Sequence, residues 1–276
     1  AEITLEANPG AIELNYLSGY REAGVNRLSI GVQSFNTDQL KRLGRIHSSN
    51  EAHQAIKKAR EAGFDNINLD IMFALPQQSI DEALLDLETA IKLNPEHISW
   101  YQLTIEPHTA FAHMPPTLPD DDNVITMQTE GLSLLEKNGF TQYEISAYAK
   151  PSKQCKHNLN YWCFGDYLGI GAGAHSKITT DNRVQRHWNI KHPNQYLKNQ
   201  DLIAGQQIIP DKKRVFEYLM NRLRLKTTIS SEEFATATGQ TVEKYEKTFI
   251  ELEQQGLVTL HQNGLALTSQ GNWFLN

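Results

Sequence analysis

Three scarcities limit what this chain can be. Cysteine is nearly absent: Cys155 and Cys163 are the two in 276 residues. That is too few for a disulfide framework, and the seven residues between them fit no usual metal-ligand spacing, so two reduced, packed thiols are expected. Long apolar runs are also missing. The longest, such as residues 71–75, fall far short of the roughly 18–20 residues needed to cross a bilayer, and no basic-then-apolar leader opens the chain. Basic charge is the third shortage, since 26 Lys and Arg stand against 32 Asp and Glu for a formal net charge of −6. Such a balance gives no general attraction to phosphate backbones or anionic membranes. A soluble cytoplasmic protein is expected, with contact to a membrane surface left open.

What is present is an alternation of strand and helix patterns. Strands read at residues 2–8, 27–35, 66–75 and 97–106, with helices between them at 11–23, 37–43, 50–62 and 80–93. Asn36, Ser49 or Asn50, and Ser79 are the expected helix N-caps, and Gly24 and Gly63 the stops. Repeated βα units of this kind build a parallel sheet. Residues 107–123 read as a Pro-rich loop, followed by a helix at 124–138 and a strand at 142–148; 151–190 reads as mixed loop and short strand. Helices at 211–224, 231–238 and 241–254, then a hairpin at 257–267, form a winged-helix-like pattern. Two domains are expected, 1–190 and 191–276. Because the chain starts at Ala1 and runs directly into a strand-like segment, a fragment of a longer protein is expected.

The period-2 rule then separates two faces. One carries Leu28, Ile30 and Val32, then Ile67, Leu69, Ile71 and Phe73, and in the last strand Tyr101, Leu103 and Ile105. The other aims Glu6, Ser29, Gly31, Gln33, Asn68, Asp70, Gln102, Thr104 and Glu106 the same way. Parallel strands covered on both faces read as continuously apolar, and buried unpaired carboxylates cost several kcal/mol each. A polar interior near strand C-terminal ends therefore predicts a wet cavity that holds a small ligand.

Glu6-Ala-Asn-Pro-Gly10, Leu28-Ser-Ile-Gly-Val-Gln-Ser-Phe-Asn36, Gly44-Arg45-Ile-His47 and Asn68-Leu-Asp70-Ile-Met-Phe-Ala-Leu-Pro76 occur in order. Together they resemble the oxygen-independent coproporphyrinogen III oxidase family of radical S-adenosylmethionine (SAM) proteins. His157-Asn-Leu-Asn-Tyr161-Trp162 resembles the HNxxYW motif of the family's heme chaperone branch. The resemblance implies an α/β fold: an incomplete (β/α)6 open TIM-type barrel lacking its first two βα units, plus the small winged-helix-like C-terminal domain. It implies SAM contacts at Glu6, Gln33, Arg45 and Asp70, to which Thr104 is added on parity alone. It makes His157, Tyr161 and Trp162 the heme candidates, with His47, His175, His187 and His192 competing as ligands. Gly171-Ala-Gly-Ala174 is a further backbone turn that approaches either a second ligand or only its own fold.

The family's CxxxCxxC, which supplies three thiolates to a [4Fe–4S] cluster, is not found in this sequence, so no metal ligand and no catalytic residue are assigned here and SAM cleavage is not expected of this chain. The complete protein is expected to carry SAM, a [4Fe–4S] cluster and heme, and to deliver heme to an acceptor protein. The alternative is an oxidase of porphyrin biosynthesis. Nucleic-acid binding through Lys212-Lys213-Arg214 and Arg222-Leu-Arg224 is a third reading, opposed by the acidic total.

Overall fold

The computed structural model describes residues 1–10 and 16–275 in two compact units, Ala1–Gln154 and Cys155–Asn276. The first unit alternates β1 (Thr4–Ala7), α1 (Leu17–Glu22), β2 (Arg27–Gln33), α2 (Thr37–Arg42), α3 (Ser49–Glu61), β3 (Ile67–Phe73), α4 (Ile80–Lys92) and β4 (His97–Gln102). The short α5 (Ala110–His113) and long α6 (Asp121–Lys137) follow, then β5 (Thr141–Glu144) and β6 (Ala147–Ala149). The sheet order is β1-β2-β3-β4-β6-β5, with β1 to β4 parallel and β6 antiparallel to both neighbours. Residues 11–15 of the helix expected at 11–23 lie outside the described residues.

Local chemistry fixes the helix starts. Asn36 caps α2, its side chain accepting from Asp38 N and Gln39 N. Ser79 and Glu82 form a capping box on α4. On α3 the box is Ser48 with Glu51 rather than Ser49 or Asn50, because only Ser48 stands three residues ahead of a glutamate whose carboxylate returns to the cap N–H.

One face of the parallel strands supplies the core. Leu28, Ile30, Val32, Ile67, Leu69 and Ile71 are fully buried and cluster with Ala52, Ala55 and Ile56 of α3 and Ala83 and Leu87 of α4. In β4 the expected parity is reversed: Ile98 and Trp100 join this core, while Tyr101 belongs to the polar face. The strand expected at 97–106 ends at Gln102, so Leu103 and Ile105 lie beyond the pleat. The strand expected at 142–148 is the β5–β6 hairpin, in which Ser146 N donates to Glu144 Oε1 at 3.0 Å. The sheet is therefore mixed rather than wholly parallel.

Asp86 of α4 ties this frame together from inside. Ser34 Oγ donates to its Oδ2 at 2.5 Å and Phe35 N to its Oδ1 at 2.7 Å, clamping the chain just beyond β2. Burial raises the Asp86 carboxyl from 3.8 to about 6. With the folded value above the unfolded one, its stabilisation is complete below about pH 4 and is lost as pH rises through about 6, a change on the order of 3 kcal/mol. The unfolding free energy of Asp86→Asn relative to the unaltered protein should therefore rise by roughly that amount between pH 4 and 7. Urea titrations across that range check it; a difference that stays flat with pH overturns the assignment.

The second unit opens with α7 (Lys156–Trp162), then an antiparallel meander of β7 (His175–Thr180), β8 (Arg183–Asn189) and β9 (Ile203–Ile208), with α8 (Pro193–Lys198) between the last two. The expected division at 190/191 falls inside this meander, since β8 and β9 pair across it. After α9 (Asp211–Arg222) come β10 (Ile229–Ser230), α10 (Ser231–Thr238), a 3-10 turn (Val242–Tyr245), α11 (Glu246–Gln254), β11 (Val258–His261), β12 (Gly264–Leu267) and α12 (Ser269–Asn272). The β10-β12-β11 sheet and its helices enclose Val215, Tyr218, Phe234 and Phe249. Arg214 and Arg222 are buried here, Arg214 on the Asn182 carbonyl and Arg222 on Glu233. They are not the phosphate-facing cations that their sequence clusters suggest.

Candidate functional site

Strand register assembles the polar face of the first unit. Glu6 stands opposite Ser29, Ser29 opposite Asn68, Asn68 opposite His97, and Asp70 opposite Ser99. Partners across a ladder share a face. Asn68 Nδ2 donates to Ser29 Oγ at 2.7 Å and to Asp70 Oδ1 at 2.8 Å, and Ser29 Oγ donates to Asp70 Oδ2 at 3.3 Å. Asn68 Oδ1 accepts from Ser99 Oγ at 3.1 Å and lies 2.6 Å from His97 Nδ1, whose Nε2 is 2.9 Å from Tyr143 OH. Because Asn68 Oδ1 can only accept, His97 carries its proton on Nδ1. Burial holds the Asp70 carboxyl above the usual range; hydrogen bonds from Asn68, Ser99 and Ser29 oppose this, and the Glu6 charge adds to it.

Gln33 ends β2 buried, with φ at +68°, the left-handed region that non-glycine residues rarely adopt. The β2–β3 register shifts at the same place. Backbone strain of this kind persists where the surroundings impose it, and it gathers at ligand sites. Tyr101 OH donates to Gln33 Oε1 at 2.8 Å, which leaves the carboxamide Nε2 as the donor edge with no partner among the described residues. A Cβ at Gly31 would lie 3.0 Å from that Nε2 and 3.4 Å from Asn8 Oδ1, so the glycine keeps open the space in which the amide sits. The Tyr101 hydroxyl is pushed up to about 12 by burial and the Asp70 charge, against the pull of Arg45, so it stays a neutral donor. Arg45 NH1 reaches Asn8 Oδ1 at 3.4 Å from the loop after α2.

Four of the sequence-derived residues thus converge: Glu6 and Arg45 are exposed, while Asp70 and Gln33 lie deeper in the face. Thr104 lies past the end of β4 and is exposed, and the row runs through Ser99 and Tyr101 instead. Tyr101, Ser99 and His97 are the residues that the reversed parity concealed. His47 is buried with Nε2 3.0 Å from the Val32 carbonyl, a structural role.

In the second unit His157 and Tyr161 occupy one face of α7 a turn apart, their ring centroids 6.4 Å apart. His157 also lies 3.3 Å from Cys155 Sγ through Nδ1. Tyr161 meets Tyr167 edge-on at 4.9 Å, and the Arg224 guanidinium sits 4.5 Å from the Trp162 ring centre. Beside this helix opens a cavity of about 450 Å³ lined by Tyr161, Trp162, Tyr167, His175, Lys177 and Arg186. Its size falls within the range of small-molecule sites. His175 stacks on Trp188 at 6.1 Å. The Gly171 carbonyl accepts from Asn189 Nδ2 at 2.9 Å, so this turn is engaged by its own fold.

The chain is 48% identical over 276 residues to the heme chaperone HemW of Haemophilus influenzae, spanning all of this chain and 72% of that relative. The heme chaperone HemW of Escherichia coli is likewise 48% identical, over all of this chain and 73% of its own length. This chain belongs to the HemW family. The HemW of Bacillus subtilis is 34% identical across 98% of the chain and 73% of that protein. Residues 1–90 match the radical SAM superfamily, and residues 209–274 the HemN C-terminal domain. In structure the chain is similar to the E. coli coproporphyrinogen III oxidase HemN, with a TM-score of 0.82, 22% identity, and coverage of 100% of this chain and 68% of that one. That likeness shows the α/β fold.

The two groups that HemW membership implies fit this chain differently. Acceptors at Glu6 and Asp70, an amide donor at Gln33 and a guanidinium at Arg45 suit a ligand that bears hydroxyls, an ammonium and a carboxylate, as SAM does. A [4Fe–4S] cluster needs at least the three thiolates of its motif, and this sequence holds two cysteines. Cys155 is buried and Cys163 exposed, with no disulfide between them, and the exposed one departs from the packed pair expected. Among the described residues no helix is long and apolar enough to cross a membrane.

Proposed function

We propose that this protein is a cytoplasmic heme chaperone that binds heme at α7 and hands it to acceptor proteins, with SAM held across the polar face of β1 to β4. The observation that carries this reading is membership of the HemW family along the whole chain. We further infer that the first unit is the later part of a six-stranded open barrel, and that β10 to β12 with α10 and α11 form a winged-helix-type module. A domain division at 190/191 is kept only as a division of function.

Each residue has a task it can perform unaided. Arg45 is suited to clamp the SAM carboxylate, while Glu6 and Asp70 accept from its ammonium or ribose hydroxyls. Tyr101 fixes the Gln33 amide so that Nε2 faces the ligand. SAM in radical enzymes supplies a carbon radical, which is the cofactor's own chemistry. On α7, His157 is the iron ligand and Tyr161 and Trp162 stack on the porphyrin face.

Titration of heme into the full-length protein, followed by its absorption spectrum, tests this reading. His157→Ala should lower heme affinity by at least about tenfold and shift the absorption bands, as expected when an axial ligand is lost. Unaltered affinity and spectrum exclude His157 as the ligand. Turnover of coproporphyrinogen by the cluster-loaded protein would instead make it an oxidase.

A further inference from the structure

The cavity beside α7 holds two cations, and they are not equivalent. Lys177 is almost wholly buried. Its Nζ donates to the Phe164 carbonyl at 2.8 Å and to Asp166 Oδ1 at 2.9 Å, and it lies 4.1 Å from the Phe164 ring centre. Burial lowers the Lys177 ammonium from its ordinary value, with Asp166 opposing. This lysine is consumed by its own wall. Arg186 has about a third of its side chain exposed and meets Glu217 through NH2 alone, at 3.0 Å. Its Nε is buried with no hydrogen-bond partner among the described residues, and the Glu217 contact is an ion pair in which Oε2 accepts no well-aligned hydrogen bond. A guanidinium offers five donors in a planar fork that matches a carboxylate, and here one ion pair engages it while about a third of the side chain stays exposed.

The rest of the lining is mostly aromatic, with Tyr161, Trp162, Phe164 and Tyr167 beside Asn221. Trp162 adds a second buried donor without an acceptor, its Nε1. Buried donors left unsatisfied cost about 1–3 kcal/mol each. Aromatic walls with one under-used arginine call for a flat, apolar ring system that carries a carboxylate at its edge. Glu217 is partly buried against the same arginine and would be its competitor.

We propose that this cavity takes the propionate-bearing edge of heme, and that Arg186 recognises the propionate carboxylate. The proposal rests on the reading of α7 as the heme site and names a specificity residue that the HNxxYW-like segment does not contain.

The experiment measures binding of heme and of heme dimethyl ester, whose propionates are masked, to the full-length protein. The unaltered protein should prefer free heme by about tenfold, and Arg186→Gln should lose about tenfold for heme while binding the diester as before. Glu217→Gln, which removes the internal competitor, should strengthen heme binding and leave the diester unchanged. That variant keeps the proposal testable if Arg186→Gln folds poorly. Equal affinity of the unaltered protein for both ligands, an Arg186→Gln with undiminished heme binding, or a Glu217→Gln with no selective gain overturns the role of Arg186 and leaves the heme reading standing. Absence of binding to either ligand overturns both.

Discussion

Gln33→Gly and Gln33→Ala should both weaken SAM binding to the full-length protein by about tenfold or more, the worth of an amide donor lost from a charged ligand. Their stabilities should differ in a direction opposite to the usual rule for strands. Glycine in a strand is normally the poorer residue by roughly 0.5–1 kcal/mol. At φ +68° an alanine Cβ is strained by about 1–2 kcal/mol, whereas glycine is not. The glycine variant should therefore unfold at the higher urea concentration. Isothermal titration with SAM and urea unfolding of the two variants decide the matter. An alanine variant at least as stable as the glycine one removes the strain, and SAM affinity that survives both removes Gln33 from the site.

A second large effect tests which way β4 faces. Gly131 is buried on α6, and a Cβ placed there would stand 1.9 Å from Trp100 Cη2 and 2.4 Å from its Cζ3. A fully buried indole packed tilted against Phe73 at 4.4 Å has little room to retreat. Gly131→Ala is expected to cost about 3 kcal/mol through overpacking. Gly19 of α1 provides the contrast, because nothing lies within 4 Å of its would-be Cβ. There the same change should stabilise by about 0.5–1 kcal/mol, the ordinary helix preference. Thermal unfolding of the pair separates crowding from propensity. A neutral Gly131→Ala would mean that Trp100 does not pack beneath α6, and the expected parity of β4 would return.

The parts of the site legible in the sequence are those where alternation was unbroken. In β2 and β3 the aliphatic residues are all on one parity, so the sequence alone puts Ser29, Gln33, Asn68 and Asp70 on the face where the structure has them. β4 is not legible in this way because His97-Ile-Ser-Trp-Tyr-Gln102 alternates without a clean aliphatic series: tyrosine passes for core, and the apolar pair Leu103 and Ile105, on the same parity beyond the strand, reinforces it. The β5–β6 turn escaped notice for a related reason. Its residues, Ile145 and Ser146, include no Gly, Pro, Asn or Asp, and the bend is made by a side chain, Glu144, that accepts from the backbone. Pairings such as Asp86 with Ser34, or Arg186 with Glu217, link distant positions. No local pattern announces them.

The dispersal of the polar face over β1 to β4 makes its ligand a custodian of the sheet. Glu6, Gln33, Asp70 and Tyr101 come from four strands joined by crossover helices, so a state with any one strand detached or slipped by a residue has no complete site. A ligand held by all four binds only the fully assembled form. At a hundredfold excess over its dissociation constant it deepens that form by about 2.7 kcal/mol and leaves partly assembled states where they were. Occupancy and quality control would then be one event: a protein charged with its ligand is one whose strands have already been checked against each other.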